Sequence, residues 1–526
     1  MRKAVKEVLK DFEEKFPASV ATPNYWCTWC TQSAYLPKAR KALAPLFPGD
    51  QGQPGVRDSL NEEVVFGADG WLNFYPDSRS ALFFLLDDGW DVPYGAGQGT
   101  APDRMSVFGS MALNPRRFPS FADIPPGKGL AELTRRIRDA GWRGSGLWVA
   151  IQSQAELGVE AWRGSSRRDE WRRKLEWCAE GGISYLKVDW GNSSGDLSFR
   201  QMLTDLKNEV APQIVIEHCC CQAPVNGWAE DGSGSGRRLI GPEDADLRAW
   251  ELQALASSDV WRIYDWIEPL SVPQAIDRVV TDISLIEKAG SRTLVSAEDA
   301  VYIGAALGCA FGVMRSEIQT PDSHRWPSFP CRRLREVDRA VRWERIAPAY
   351  APTADNRISW SGETLFDSWR FAEGEHWYAP LCGKEIRQGA PAIVARGMGL
   401  CEVHADGERP FVLSSRNPNG ALAVAVLPRI AGERSVTPPA DVVLDAELVP
   451  ETPLGVFGEM KTLLLRASCQ RRLFAQDLAG GSVHDITAAA HFTEGKVVLS
   501  GNALAAIGKE ADADDSLPGT LVWAER

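Results

Sequence analysis

The stretch YLKVDW, residues 185–190, decides the fold. Side chains alternate faces along an extended chain, so Tyr185, Lys187 and Asp189 share one face while Leu186 and Val188 share the other. An apolar pair backed by polar groups, with helical patterns over 167–179 before it and 199–210 after it, reads as one β/α unit of a parallel sheet. Working outward, the unit repeats. Short runs rich in Val, Ile and Phe occupy 81–86, 146–151, 214–216 and 293–295, and the stretches 24–28, 257–262 and 312–315 bring the set to eight. Further helical patterns cover 129–140 and 272–289. Eight strands spread over about 320 residues match the scale of one eight-stranded barrel. The expected fold class is α/β, a (β/α)8 TIM barrel, with an open doubly wound sheet as the structural alternative.

After residue 350 the texture changes to short alternating runs split by Gly, Pro and Asn, which predicts a C-terminal all-β domain, a β-sandwich. The expected organisation is an N-terminal helix over 1–23, a catalytic barrel over 24–349 and the sandwich over 350–526. With 44% hydrophobic and 24% charged residues the chain can bury a large core, which excludes a disordered tail or a disulfide-stapled miniprotein. Counting 58 Lys plus Arg against 70 Asp plus Glu leaves a net charge of -12, which repels phosphate backbones and argues against a nucleic-acid partner. No apolar run is long enough to span a bilayer, and MRKAVKEVLKDFEEKF at the start lacks the apolar stretch of a signal peptide. A cytoplasmic protein without a membrane partner is expected. The 11 Cys, three of them consecutive at Cys219, Cys220 and Cys221, suit reduced thiols better than a disulfide framework.

The chemistry gathers where the apolar runs end. Asp87 and Asp88 follow FFLL, Asp189 follows YLKV, Glu217 follows IVI, and Glu298 and Asp299 follow TLVSA, while Asp259 lies in ASSDVWR. In a β/α barrel the carboxyl ends of all strands surround one mouth, so acids scattered along the chain meet there. Any one of them alone reads equally well as a helix cap. An acidic mouth suits a divalent metal or a sugar. With 6 His, no HExxH and no spaced Cys/His pairs, zinc lacks its usual ligands, and no metal or other cofactor is expected. Trp90 and Trp190, each close after an acid, favour sugar, whose apolar faces stack on indole while its hydroxyls need carboxylate acceptors. Lys187, one step below Asp189 on the same face, is expected to keep that carboxylate ionised, as a nucleophile requires.

At these residues the sequence resembles a known group. YWCTWCTQSAY followed by LFFLLDDGWD is similar to the WCTWDAF and IDDGWQ segments of the α-galactosidase and raffinose-synthase superfamily of retaining glycoside hydrolases. LNPRRFPS, GLWVAIQ, YLKVDWG and SSDVWR resemble further segments of that superfamily in the same order. The resemblance implies that Asp189 is the catalytic nucleophile and Asp259 the general acid/base, with Asp265 in reserve. It also implies that Asp87, Asp88 and Lys187 bind sugar hydroxyls, that Trp29 and Trp90 line the pocket, and that Glu217 binds a further hydroxyl. The chain departs from the pattern at Leu255, where relatives of the smaller type carry an Arg, so either Arg262 substitutes or the subsite differs. It departs again at Gln152, where many relatives carry an acid.

The resulting expectation is a retaining α-glycosidase, most similar to an α-galactosidase, acting on an oligosaccharide or glycoside by double displacement, with a homo-oligomer as an option. Three rivals stand beside it. A transglycosylase of the raffinose-synthase kind would use the same acids, a carbohydrate-binding protein would have lost catalysis, and a metal-dependent barrel lyase or isomerase would lose activity to a chelator.

Overall fold

The computed structural model describes residues 21–32, 53–96, 105–219, 228–230, 237–239, 245–263, 270–315, 333–370, 383, 385–431, 434–450, 452–467, 471–511 and 516–525. The helix expected over 1–23 lies almost wholly outside them.

Eight strands form the first sheet. They are β1 (Tyr25–Cys27), β2 (Phe83–Leu86), β3 (Gly144–Val149), β4 (Tyr185–Val188), β5 (Val215–His218), β6 (Val260–Arg262), β7 (Leu294–Ser296) and β8 (Gly312–Val313). Their spatial order, β8-β1-β2-β3-β4-β5-β6-β7, is chain order with the last strand brought round to the first. The strand pairings described within it are all parallel. The ring is closed at the other seam by Ala310, which forms a parallel bridge with Ser296, donates to the Val295 carbonyl at 2.8 Å and accepts from the Ala297 amide at 2.8 Å. The sheet is a TIM barrel, and all eight expected strands are present.

Register divides the strand residues into two sets. Tyr25 pairs with Phe83, Leu85 with Gly146, Gly146 with Tyr185, Lys187 with Glu217 and Glu217 with Val260, and partners in a parallel pair share a face. That face is the barrel interior, where Tyr25 and Tyr185 both reach Glu217. The opposite face packs outward: Trp26 and Phe84 lie against Trp142, and His218 reaches Thr204 on a helix.

Between the strands run helices that start where the chain supplies acceptors for the unpaired amides of a first turn. They include α1 (Gln53–Asp58), α2 (Pro126–Asp139), α3 (Arg167–Glu180), α4 (Leu197–Val210), α5 (Ala245–Ala256), α6 (Ser271–Ala289), α7 (Val301–Leu307) and α8 (Leu334–Ile346). Ser166 caps α3 through the Asp169 amide, and Asp196 caps α4 through that of Phe199. No helix among the described residues is long and apolar enough to cross a membrane.

The C-terminal sheets face each other across one apolar core. An eight-stranded sheet contains Phe411–Arg416, Leu422–Leu427, Leu454–Gly458 and Gly519–Ala524, and a five-stranded sheet contains Ala440–Glu447, Thr462–Arg466 and Lys496–Ser500. Val424, Val426 and Val456 of the first sheet and Val442, Leu463 and Leu499 of the second belong to a single buried cluster. Interdigitation of two inner faces is the sandwich geometry.

By compactness the chain divides into two units. One comprises 23–264 with 312–324, and the other comprises 265–311 and 325–526 with the first 22 residues. Within the second, helices are fastened to the sandwich by buried polar contacts. Arg339 on α8 grips Asp477 with two bonds of 2.8 and 3.0 Å, and Arg396 donates to the Leu307 carbonyl at 2.7 Å.

Candidate active site

The first compact unit holds Asp87, Asp88, Asp189, Glu217 and Asp259, and the register sorts them. Asp189 directly follows β4, on the inward face, and its amide still donates to Val149 on β3 at 2.9 Å. The indole nitrogen of Trp148, also inward, donates to Asp189 Oδ2 at 3.0 Å. Oδ1 of the same carboxylate is buried and has no hydrogen-bond partner among the described residues. A buried carboxylate oxygen without a partner is rare enough to demand a reason, and at the carboxyl end of a barrel strand a ligand is the natural one.

Asp87 follows β2 and is fully engaged. Its Oδ2 accepts from Lys187 Nζ at 2.5 Å and from the Cys27 thiol at 2.9 Å, and its Oδ1 accepts from the Asp88 amide at 2.8 Å. Burial is the largest single influence on Lys187 and works against its charge, but Asp87, with Cys27 and Asp189, together outweighs it and holds the ammonium well above its usual value. The Lys187 bond goes to Asp87, and Asp189, the carboxylate that Lys187 is expected from the sequence to keep ionised, interacts with it only as a neighbouring charge. Burial also raises the Cys27 thiol well above its usual range, so it serves Asp87 as a neutral donor.

Asp88 is ion-paired to Arg57 on α1, Nε to Oδ2 at 2.7 Å, while its Oδ1 is buried with no partner among the described residues. Burial pushes its carboxyl up to about 7; Arg57 opposes the shift, and Asp87 and Asp91 add to it. Asp91 is raised by burial to about 6 and also keeps one unpartnered buried oxygen.

Four expectations need correction. Asp259 precedes β6 and, one residue before inward-facing Val260, takes the outward face. Its amide donates to Ile216, and its Oδ2 accepts from Lys207 on α4 at 2.8 Å and from the Ile216 amide at 2.9 Å. It therefore sits at the amino end of its strand against a helix, away from the mouth. Glu217 points inward but is largely engaged within the barrel: Tyr25 and Tyr185 donate to its two oxygens at 3.0 and 2.5 Å, and the Cys219 thiol donates at 3.2 Å. Its partners are the barrel's own side chains, so the sequence expectation of a sugar-hydroxyl contact is not what its hydrogen bonds display. The Tyr25 hydroxyl approaches so close to Gly312 that any side chain there would collide with it. Trp90 is wholly buried with its indole nitrogen on the Trp148 carbonyl at 2.9 Å, so it presents no face to a ligand. The departure at Leu255 also dissolves, because that residue is buried on α5, whereas Arg262 is buried on the inward face of β6. Its charge acts on Tyr25, Tyr185, Cys219 and Lys187.

Trp29 and Trp190 are partly exposed. Trp190 packs against Trp148 and Phe108 with ring centroids 5.3 and 4.9 Å apart. Gln152 holds the preceding loop instead of standing in for an acid, donating to the carbonyls of Met105 and Phe108 at 2.6 and 2.9 Å. Asp265 lies outside the described residues. Glu298 and Asp299 follow β7 in the other compact unit, and both are buried.

Sequence reasoning missed Trp148, Cys27 and Arg57. The first two were within reach, because period-two counting from Gly146 and Tyr25 places both on the inward face. Nothing in the sequence marks Arg57, which meets Asp88 only through the placement of α1.

No protein-family model matches the chain, and no curated protein does. Among solved structures it is similar to a GH27 β-L-arabinopyranosidase from Geobacillus stearothermophilus, at 10% identity and a TM-score of 0.41 over 98% of this chain and 99% of that one. It is similar also to α-galactosidase I from Mortierella vinacea, at 10% identity and 0.35 over 97% and 98%. The α-galactosidase from Saccharomyces cerevisiae solved with raffinose gives 9% and 0.33 over 90% and 85%. The chain is similar to structures of the superfamily its motifs resemble.

Proposed function

We propose that this chain is a retaining α-glycosidase, with an α-galactoside as its favoured substrate. The observation that carries the reading is the Asp189 carboxylate, with Oδ2 held by Trp148 and Oδ1 buried without a partner at the carboxyl end of β4. Oδ1 attacks the anomeric carbon, giving a covalent glycosyl-enzyme that water then opens, and the two inversions return the original configuration. The Asp87 carboxylate, fixed by Lys187 and Cys27, and the free oxygen of Asp88 receive glycone hydroxyls.

Asp259 is unsuited to general acid/base work, since it faces α4 and is paired with Lys207. The reserve acid of the sequence, Asp265, takes that role in this proposal. It protonates the leaving oxygen in the first step and activates water in the second.

Hydrolysis of a panel of nitrophenyl α- and β-glycosides tests the reading, with the product anomer followed by NMR. Release of one α-linked sugar with retained configuration, lost in Asp189→Asn, is the expected result. Inverted product, or full activity in Asp189→Asn, would overturn it. Asp265→Asn is expected to lose the poor leaving groups first and to recover with azide, whereas Asp259→Asn stays within about threefold of wild type.

A further inference from the structure

The Arg57 side chain is only 3% exposed and that of Asp88 2%, and the guanidinium has further contacts beside the ion pair. Its Cζ lies 5.0 Å from the ring centroids of both Phe108 and Trp190, and Trp190 is the residue directly after Asp189. The Arg57 carbonyl accepts from Arg117 Nη1 at 2.7 Å. Gly89, at φ 127°, lies so close that a Cβ there would be 2.7 Å from the same carbonyl, so the turn after Asp88 packs directly on α1. Gln32 completes the brace by donating to the Asp88 carbonyl at 2.9 Å.

The adjacent ion pair provides a contrast. Asp58, the next residue, meets Arg117 Nη2 through Oδ1 at 2.6 Å, and both of its oxygens also accept from the Gly95 amide at 3.0 Å. Both oxygens of that carboxylate are used, as a purely structural pair requires. The Arg57 pair uses one Asp88 oxygen and leaves the other buried and without a partner among the described residues. Two neighbouring residues of one short helix thus make two buried pairs, and only one of them has spare acceptor capacity.

We propose that Arg57 is a positioning residue that commits Asp88 to a single sugar hydroxyl, by occupying Oδ2 and orienting Oδ1. This rests on the reading of Asp88 as a glycone contact. The planar guanidinium suits the task because it can pack against both aromatic rings while its Nε makes a directed bond, which an ammonium cannot do. The charged groups acting on Asp88 are Arg57 on α1, Arg117, and the flanking carboxylates Asp87 and Asp91. Arg57 opposes the rise that burial causes and so keeps Asp88 able to accept near neutral pH.

The test compares wild type, Arg57→Lys, Arg57→Met, Asp88→Asn and the Arg57→Met/Asp88→Asn double variant as full-length chains. For 4-nitrophenyl α-D-galactopyranoside, Arg57→Met is expected to raise KM about tenfold at pH 7, leave kcat within about threefold, and move the acid limb of 1/KM upward by about one pH unit. Arg57→Lys should restore the limb but not the full affinity. In thermal melts, the loss caused by Arg57→Met should be larger at pH 8 than at pH 5, and this pH dependence should vanish in the Asp88→Asn background. A KM effect equal at every pH, or a loss falling on kcat alone, would overturn the proposal, as would a pH dependence of the melting loss that persists without Asp88. If Arg57→Met does not fold, Arg57→Lys and Asp88→Asn carry the same comparison. If wild type hydrolyses no glycoside, the glycosidase reading fails by itself, and the melts still decide whether Arg57 acts through Asp88.

Discussion

Trp148 governs what Asp189 can do. Its indole N–H is a donor with no acceptor capacity, so it stabilises the carboxylate and fixes which oxygen stays free. Trp148→Phe keeps most of the ring but removes the donor. The expected result is a kcat about 10 to 100 times lower with KM little changed, measured on whichever glycoside the panel identifies. Cys27 offers a milder test. Cys27→Ser preserves a donor for Asp87 and should keep activity, whereas Cys27→Ala removes it and should raise KM.

At the level of the element, the loop after β3 is tied to α3 through Glu170. That carboxylate accepts from Ser153 Oγ at 2.6 Å and from the amides of Gln154 and Ala155 at 3.0 and 2.9 Å, and it pairs with Lys174 one turn along the helix. Both charged side chains are fully buried. Glu170→Ala leaves the Lys174 ammonium unpaired and should cost about 3–5 kcal/mol of unfolding free energy, read by denaturant titration. The turn after β2 carries a pH dependence of its own. Asp88 and Asp91, at about 7 and about 6, sit above the 3.8 of a free carboxyl, so the folded chain binds protons the unfolded chain has released. Their contribution to stability is present in full below about pH 4 and is lost as pH rises through 6 and 7. The melting midpoint should therefore fall between pH 5 and pH 8, and Asp91→Asn should flatten the decline.

For the whole molecule, the segment 265–311, which carries α6, β7 and α7, belongs to one compact unit with the C-terminal sheets. Arg396 donates to the carbonyls that end α7, Tyr302 on α7 donates to the Leu517 carbonyl at 2.8 Å, and Arg339 grips Asp477 with both side chains fully buried. A chain ended at residue 349 loses all of these partners. It should fail to give a cooperative thermal transition, whereas an independent barrel would melt much as the full chain does. Arg339→Met, which strands the Asp477 charge, should cost about 3–5 kcal/mol in the same measurement.

The eight strands, their parallel order and the sandwich behind them were legible because they depend on local information: apolar runs of period two, helical patterns between them, and Gly and Pro breaks. The strand-end position of Asp189 and the inward direction of Lys187 followed from the same counting. Asp259 misled because two residues at the start of its expected strand, on either side of β-sheet entry, cannot be told apart by pattern alone. The pattern predicts a strand over 257–262, whereas the strand begins at Val260, which makes Asp259 an outward-facing residue at the amino end instead of a mouth acid. Glu217 and Trp90 were correct in placement but not in availability. Whether a carboxylate or an indole is free depends on which partners arrive from other strands, as Tyr25, Tyr185 and Trp148 do. Arg57 lies furthest from any sequence signal, since its contact with Asp88 is made by residues 31 apart in the chain. Periodicity is a property of neighbours along the chain and can be counted there, but saturation of a hydrogen-bonding group is a property of neighbours in space and exists only once the chain has folded.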